Sequence, residues 1–229
     1  DKLTVEPNPI RGTTTEFSTD TAEQVASLNP TKIIAVNSGL EADKKALLEQ
    51  IAPTTFHSDE YPDWQVPWEV QIKEISKALG KEDEGQKLID DSEQAFKDFR
   101  EAHPELQGKT AVIGMPYDGK LGVYTSGDGR GAFIEKLGFK IPEKFNGDGS
   151  SFFLDWSPEN YADFNDVDYL FVLDYYGAID ALKNDKAFMD LDVNKRGGLY
   201  WLDTDTANAM SMPNPLTIPY AIKQIEKQL

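Results

Sequence analysis

Apolar residues in the first third of the chain fall into short runs and helical stripes separated by polar turns. The run over Lys32–Val36 is rich in β-branched residues and predicts a buried parallel strand. Glu41–Ile51 carries its leucine and isoleucine side chains on one face and predicts a helix. A short strand is expected over Thr54–Phe56. The polar, aromatic loop Ser58–Pro67 leads into a second helix that ends at Gly80, because Pro suits the start of a helix and Gly its end.

The longest helical signal runs from Glu82 to about His103. At ~1.5 Å per residue, such a helix is roughly 30 Å long, about the height of a small domain. The segment His103–Gly108, which contains Pro104, is the strongest domain boundary in the sequence. The apolar positions of the helix form a narrow stripe of Leu88, Ser92, Ala95, Phe96, Phe99 and Ala102.

A second series of apolar runs follows the long helix. A short helix is expected over Ala132–Leu137, and a final helix begins at Asn214-Pro215, an N-cap and first-turn pair. The predicted strands of this series are Thr110–Gly114, Leu121–Thr125, Tyr169–Leu173 and Leu199–Leu202.

Together these elements predict an α/β protein with two parallel-sheet lobes bridged by one long helix. The boundaries are residues 1–81 for the N-terminal lobe, 82–103 for the connecting helix and 104–229 for the C-terminal lobe. Ligands of open parallel sheets bind beyond the carboxyl ends of the strands. The residues at those ends are Asn37, Ser38, Tyr117, Tyr175 and Tyr176.

The amino-acid composition argues against several classes of function. The net charge of −17 argues against a nucleic-acid partner, since little is available to neutralise phosphates. The chain has no cysteine, which excludes disulfides, thiolate catalysis and iron–sulfur clusters. Its two histidines, His57 and His103, cannot build a three-His metal site. No nucleophile elbow or Ser/His/Asp grouping is present, so no catalytic residue, metal site or cofactor is predicted.

A glycine-rich stretch and a set of loop aromatics remain as candidate chemistry. The pattern Gly127-x-Gly129-x-Gly131 lacks the spacing of a nucleotide-binding fingerprint. Arg130, within it and near a helix N-terminus, is instead expected to hold an anion. Tyr and Trp in loops, among them Trp64, offer stacking and hydrogen bonding at low entropic cost, and they are expected to line a ligand cleft.

Three stretches resemble the solute-binding proteins of iron–siderophore ABC importers, a group that also includes vitamin B12 and haem carriers. "EQVASLNPTKIIAVNSGL" is similar to the signature of the first lobe, and "VYTSGDGRGAFIEKLGFKIPE" to a strand, loop and helix of the second. "MSMPNPLTIPYAI" resembles the terminal helix of the siderophore branch. The resemblance runs in the right order over nearly the whole chain.

The resemblance implies a shallow cleft between two lobes, in which the siderophore itself grips the iron. Aromatic and Arg residues surround an anionic ferric complex in such proteins. The positions that match here are Trp64, Tyr117, Arg130, Tyr175 and Tyr176, with Asn37 and Ser38 at the cleft floor.

The resemblance also implies partners and a location. Such proteins present one Glu from each lobe to basic residues of the membrane permease, and these fall on Glu23 and Glu159. The protein is then extracytoplasmic, in the periplasm or lipid-anchored at the outer face of the membrane, and monomeric. Such proteins begin with a βαβ unit, roughly 30 residues or more, ahead of the segment that starts here at Asp1. The first lobe is therefore expected to be incomplete, and an anchoring cysteine would belong to the segment it lacks.

Three alternative functions remain open. The first is a haem or cobalamin carrier of the same family, in which haem would require an axial ligand from Tyr175, Tyr176 or His57. A hydrolase that uses two of the 40 acidic residues is another, since sequence does not give carboxylate separations. A structural relative that has lost binding is the third. The sequence does not distinguish catecholate from hydroxamate siderophores.

Overall fold

The computed structural model describes residues 17–148 and 150–229. In the N-terminal lobe, β1 and β2 pair in parallel, with Ile33 opposite Thr54. Ser18 caps the first helix: its hydroxyl accepts from the Thr21 amide, and the Thr21 hydroxyl accepts in return from the Ser18 amide. The elements of this lobe are α1 (Thr19–Ser27), β1 (Ile33–Ile34), α2 (Ala42–Ile51), β2 (Thr54–Thr55) and α3 (Trp68–Leu79).

The first strand is shorter and less buried than its sequence predicts. It covers two residues instead of the run Lys32–Val36, and the Ile34 side chain is 38% exposed. Within the described residues β1 has one neighbouring strand, β2, so one of its edges carries no partner there. The expectation of a fully buried strand is therefore wrong for this part of the chain.

The predicted long helix is confirmed as α4 (Glu82–Ala102). Three acidic residues in its first turn and Arg100 in its last turn complement the helix dipole. The stripe prediction is wrong at Leu88, which is 45% exposed, because the buried row lies one position further on at Ile89. The buried face has spacings of four and three residues and consists of Gly85, Ile89, Ser92, Phe96 and Phe99.

The C-terminal lobe contains one five-stranded sheet in the order β5-β4-β3-β6-β7. The strands are β3 (Ala111–Tyr117), β4 (Lys120–Tyr124), β5 (Phe153–Trp156), β6 (Tyr169–Leu173) and β7 (Leu199–Leu202). The helices are α5 (Gly129–Lys136), α6 (Asp180–Asn184), α7 (Lys186–Met189), α8 (Asp192–Lys195), α9 (Thr204–Ser211) and α10 (Thr217–Glu226). Short 3-10 helices lie at Pro104–Leu106, Glu143–Phe145 and Pro158–Asp166.

This sheet is mixed, which corrects the expectation of a parallel sheet. Strands β3, β6 and β7 are parallel, whereas β4 runs antiparallel to both β3 and β5. The reason is the two-residue turn Asp118-Gly119, where both residues have positive φ (45° and 72°), as tight hairpins require. Strand β3 therefore continues past Gly114, its predicted end, to Tyr117. Strand β5 was not predicted, since the burial of its four residues does not alternate.

Both faces of the sheet are covered by apolar side chains. Neighbouring residues of a strand point to opposite faces: Phe171 joins the core under α4, α5, α9 and α10, whereas Leu170 and Val172 join the core on the other side. This explains the continuous apolar run of β6. No helix of the described residues has both the length and the apolar content needed to cross a membrane.

Candidate functional site

A pocket of about 240 Å³ lies between the two lobes. Its N-terminal wall comes from the end of β1, the loop before α3 and the first turn of α3. Its C-terminal wall comes from the loop that precedes α5, from α5 itself and from the end of α9. The lining residues include Asn37, Trp64, Trp68, Glu69, Ser126, Asp128 and Lys136.

Two residues of the N-terminal wall have left-handed backbone conformations. Asn37 has φ 55° and Trp64 has φ 69°. Asn accepts this region readily, but a bulky residue there is a genuine outlier, and such strain costs about 1–3 kcal/mol. The Trp64 indole lies directly against Gly39, where an added Cβ would be 2.4 Å from Cζ2. Strained residues of this kind cluster at functional sites, which supports the prediction that Trp64 and Asn37 contact ligand.

His57 connects the two segments of this wall. Its Nδ1 accepts a hydrogen bond from the Asn37 amide at 3.1 Å, and its Nε2 lies 3.3 Å from the Asp63 carboxylate. The imidazole is buried. Both ring nitrogens are thus used to hold the end of β1 against the Trp64 loop, which gives His57 a positioning role and leaves no nitrogen for haem iron.

Unpartnered polar atoms concentrate at the pocket. Four buried side-chain atoms of the described residues have no hydrogen-bond partner: Asn37 Oδ1, Ser38 Oγ, Trp68 Nε1 and Ser126 Oγ. Asn37, Trp68 and Ser126 line the pocket, and Ser38 is adjacent to Asn37. A buried polar atom without a partner costs about 1–3 kcal/mol. A ligand that supplies the missing partners would recover that energy on binding.

The opposite wall is built by the glycine-rich loop. Asp128 caps α5, accepting from the Arg130 amide at 2.8 Å, so the helix begins at Gly129, three residues before the predicted Ala132. Lys136 on α5 reaches across the lobes to Glu69 and also pairs with Glu93 of α4.

Arg130 does not present a free charge to the pocket. Its Nε and Nη2 donate to the two oxygens of Asp128, and Nη1 donates to the Ser211 hydroxyl at 2.7 Å. The guanidinium also stacks on the Tyr124 ring at 3.8 Å. Burial raises the pKa of the Asp128 carboxyl, while the Arg130 charge acts in the opposite direction. All three guanidinium nitrogens are occupied within the protein, so the geometry argues against the predicted role of Arg130 as an anion ligand.

The three tyrosines predicted for the cleft occupy three different environments. Tyr175 hydrogen-bonds through its hydroxyl to Ser211 and the Ala207 carbonyl, behind the pocket wall. Tyr176 is 87% exposed in a left-handed turn (φ 59°) after β6. Tyr117 lies at the end of the hairpin, where it borders a separate pocket of about 400 Å³. Its hydrogen bond to Asp155 raises its pKa to about 12.

The structure therefore brings together some of the predicted residues and adds others. Asn37, Ser38 and Trp64 lie at the pocket or beside it, and Arg130 and Tyr175 support its far wall. The cleft positions predicted for Tyr117 and Tyr176 do not belong to this pocket. Trp68 and Ser126 are not among the predicted site residues. Trp68 has the helical spacing of a core residue and is one, yet its side chain also lines the pocket. Ser126 lies two residues after the end of β4, and that position beyond a strand was the available signal.

The two glutamates predicted to dock on a permease are exposed, one on each lobe. Glu23 lies on α1, and Glu159 lies in the first turn of the 3-10 helix Pro158–Asp166. Neither forms an ion pair with another described residue within 4.0 Å. Both are thus available for basic side chains of a partner.

The rival chemistries find little support in this site. The pocket's two carboxylates, Glu69 and Asp128, are each held in an ion pair, which is unfavourable for a pair of hydrolytic acids. Among the described residues no group of three His, Asp or Glu side chains is placed to hold a metal ion. For haem, the Tyr175 hydroxyl is already bonded within the protein, and Tyr176 lies outside the pocket wall.

Known proteins similar to this chain are binding proteins. A family model described as periplasmic binding protein matches residues 9–205. The iron uptake ABC transporter substrate-binding protein PiaA from Streptococcus pneumoniae is 30% identical, with a TM-score of 0.74 over 91% of this chain and 73% of PiaA. PiaA in complex with ferrichrome gives a TM-score of 0.75 at 30% identity, over 91% of this chain and 71% of PiaA.

Two further relatives extend the comparison. A periplasmic solute binding protein from Mycobacterium smegmatis is 25% identical, with a TM-score of 0.79 over 91% of this chain and 71% of that protein. The Fe(3+)-citrate-binding protein YfmC of Bacillus subtilis is 26% identical over 189 residues, 80% of this chain. The chain spans 57% of the length of YfmC. These matches confirm the fold class and the resemblance inferred from sequence.

Proposed function

This chain belongs to the periplasmic binding protein family, and on that premise we propose that it is an extracytoplasmic protein that captures a ferric siderophore between its lobes and delivers it to an ABC importer. The observation that carries the proposal is the pocket between the lobes, with the strained Trp64 on one wall and unpartnered polar atoms around it. PiaA, which binds ferrichrome, and YfmC, which is named for ferric citrate, support iron chelates as the class of ligand.

The size of the pocket supports partial enclosure of the ligand. Ligand pockets commonly measure ~300–1,000 Å³, and this one is smaller at about 240 Å³. A ferric siderophore would rest in its mouth and leave one side open to solvent. The exposed Trp64 side chain provides flat apolar surface at the pocket, and the buried Trp68 side chain lies behind it in the lining.

The binding proposal is tested by tryptophan fluorescence and calorimetry. The purified chain is titrated with a ferric hydroxamate, a ferric catecholate, ferric citrate, haem and cobalamin. We expect saturable quenching by at least one iron chelate, with a smaller amplitude and weaker binding in Trp64→Phe. Trp201→Phe, partly buried against the core on the far side of the sheet, is the matched control and should bind normally. If no ferric chelate binds, or if cobalamin alone binds, the proposal is wrong.

Delivery is proposed to use Glu23 and Glu159 as contacts for basic residues of the permease. Charges at the rim of an interface mainly affect association rate and specificity. Glu23→Ala and Glu159→Ala should therefore reduce ligand-stimulated ATP hydrolysis by the importer in liposomes while ligand affinity is unchanged. Glu101→Ala, an exposed change on α4, is the control. Full stimulation by the double variant would contradict this assignment.

A further inference from the structure

The cations around the pocket are fully compensated. Arg130 is paired with Asp128 through two hydrogen bonds, at 2.9 and 3.1 Å. Lys136 is held between Glu69 and Glu93, with both oxygens at 2.5 Å from Nζ. Three carboxylates thus face two cations, so this region has no net positive charge.

An anionic ligand would therefore bind here at a disadvantage. It would meet the carboxylates of Glu69 and Asp128, which line the pocket, and the chain as a whole carries a net charge of −17. Like charges brought together at a desolvated interface cost several kcal/mol. Freeing Arg130 to meet the anion would leave the buried Asp128 carboxylate unpaired, which is also unfavourable.

Uncharged groups are the ones left without partners. Trp68 is 6% exposed and its Nε1–H donates to nothing in the described part of the chain. The Ser126 hydroxyl, on the opposite wall, is likewise unpartnered, and Asn37 offers a free amide oxygen. Neutral N–H and O–H donors of this kind match the oxygen atoms of an uncharged, oxygen-rich ligand.

We infer that the pocket selects an electrically neutral ferric chelate, namely a tris-hydroxamate, with Trp68 Nε1–H and Ser126 Oγ–H as donors to its oxygen atoms. The inference rests on the proposed function. Three hydroxamates carry one negative charge each and balance Fe³⁺, whereas three catecholates carry two each and leave a strongly anionic complex. The resemblance implied an anionic complex held by Arg130, and the charge pairing in this structure argues for the opposite selectivity.

Calorimetry with chelates of different charge tests the inference. Ferrichrome and ferrioxamine E are the neutral probes, and ferric enterobactin and ferric citrate are the anionic ones. We expect the neutral probes to bind at least about 100-fold more tightly than the anionic probes, since contacts between like charges weaken the binding of an anion. Their affinity should change less than about twofold between roughly 50 mM and 500 mM NaCl, because screening acts on charges.

Two pairs of variants locate the selectivity. Trp68→Phe and Ser126→Ala should each weaken ferrichrome binding about three- to tenfold, the range expected for one lost hydrogen bond. Trp201→Phe and Ser27→Ala, outside the pocket, are the controls.

Asp128→Asn keeps a good helix cap but releases the Arg130 charge, so it should reduce the affinity ratio between neutral and anionic chelates by about tenfold. Glu93→Gln removes the more exposed of the two partners of Lys136 (40% against 22% for Glu69). It should act in the same direction and serves as the second variant where Asp128→Asn folds poorly.

The outcomes separate the inference from the function on which it rests. Tightest binding of ferric enterobactin or ferric citrate would overturn the inference and leave the siderophore carrier standing. Unchanged ferrichrome affinity in both Trp68→Phe and Ser126→Ala would overturn the assigned donors. Absence of binding by every ferric chelate would overturn the proposed function itself.

Discussion

The two lobes build one pocket from very different amounts of buried structure. The C-terminal lobe has a five-stranded sheet with side chains such as Phe171 and Leu170 fully buried on either face. In the N-terminal lobe, the described sheet has two strands of two residues each, and Ile34 remains exposed. The pocket nevertheless takes one wall from each lobe.

The two walls of the pocket differ in rigidity, the C-terminal wall being the more rigid. The C-terminal wall is fixed by the Asp128 cap, the Arg130 ion pair and the Tyr175–Ser211 hydrogen bond. In the N-terminal wall, the Asn37 segment is held by a hydrogen bond to His57, and Trp64 is strained and exposed. Segments with few buried contacts open at low free energy, so ligand binding is expected to order the N-terminal wall more than the C-terminal one.

The largest expected effect comes from breaking the better-packed region. Phe96 on α4 is completely buried and contacts Phe133 edge-on, with ring centroids 5.1 Å apart. Phe96→Ala should lower the free energy of unfolding by about 3–5 kcal/mol, measured by urea denaturation. Leu88→Ala, on the exposed side of the same helix, is the control and should cost less than about 1 kcal/mol. Equal effects from the two variants would contradict the assigned burial.

A smaller and more local effect is expected in the N-terminal lobe. Leu48 on α2 is 3% exposed, and Leu48→Ala should cost about 2–3 kcal/mol in local stability. Hydrogen exchange should accelerate in α1 and α2 while β3 and β6 keep their protection. Acceleration spread evenly over both lobes would show that the lobes unfold as one unit and do not differ in local stability.

The cap of α9 supplies a prediction with a pH dependence. The Asp203 carboxylate accepts from the Thr206 amide at 2.9 Å, and hydrogen bonds from Thr206 lower its pKa. An acid with a lowered folded-state pKa stabilises the protein above its unfolded-state pKa and loses that contribution as pH falls through the folded value. Asp203→Ala should therefore cost about 1 kcal/mol at neutral pH.

The pH series is the check on this interpretation. The stability difference between the wild type and Asp203→Ala should narrow below about pH 4, the ordinary range of an Asp carboxyl. Thermal denaturation of both proteins from neutral to acidic pH measures it. A difference that stays constant over that range would mean that the charge of Asp203 contributes nothing.

The smallest effect on stability is expected at Trp64, together with a large effect on binding. Glycine adopts φ 69° without strain, so Trp64→Gly should relieve about 1 kcal/mol of backbone strain. The loss of the indole packing should cost a similar free energy. The unfolding free energy should change by less than about 1 kcal/mol. Ferrichrome affinity should fall by about tenfold or more, since an aromatic anchor that ligand binding buries carries a large share of binding energy. A strongly destabilised Trp64→Gly would mean that Trp64 is a core residue.

The sequence predicted the parts of the fold that local periodicity determines. The 21-residue α4 has an uninterrupted helical stripe and acidic first turn, and β6 has a continuous apolar run. By contrast, the antiparallel β4 depends on the Asp118-Gly119 turn, which was not recognised. Strand β5 exists because it pairs with β4, a contact between distant segments that periodicity does not encode.

The position of the pocket could be predicted from the sequence better than the contacts of its side chains. The ends of strands and the loop aromatics indicated Asn37, Ser38 and Trp64, which lie at the pocket or beside it, and their contact with ligand stays a prediction. The function of Arg130 was not readable from its position near a helix N-terminus, because its pairing depends on how Asp128, Ser211 and Tyr124 converge. Trp68 has the helical spacing of a core residue and is buried in the core, whereas its unpartnered Nε1–H at the pocket is visible only in three dimensions.

The central claim, that a ferric chelate binds between the lobes, is tested most directly by hydrogen exchange with and without saturating ferrichrome. The account predicts slower exchange in both walls, over residues 64–69 and 126–132, with the greater change in the N-terminal wall. Protection confined to one lobe, or found instead around the hairpin at residues 116–120, would contradict it.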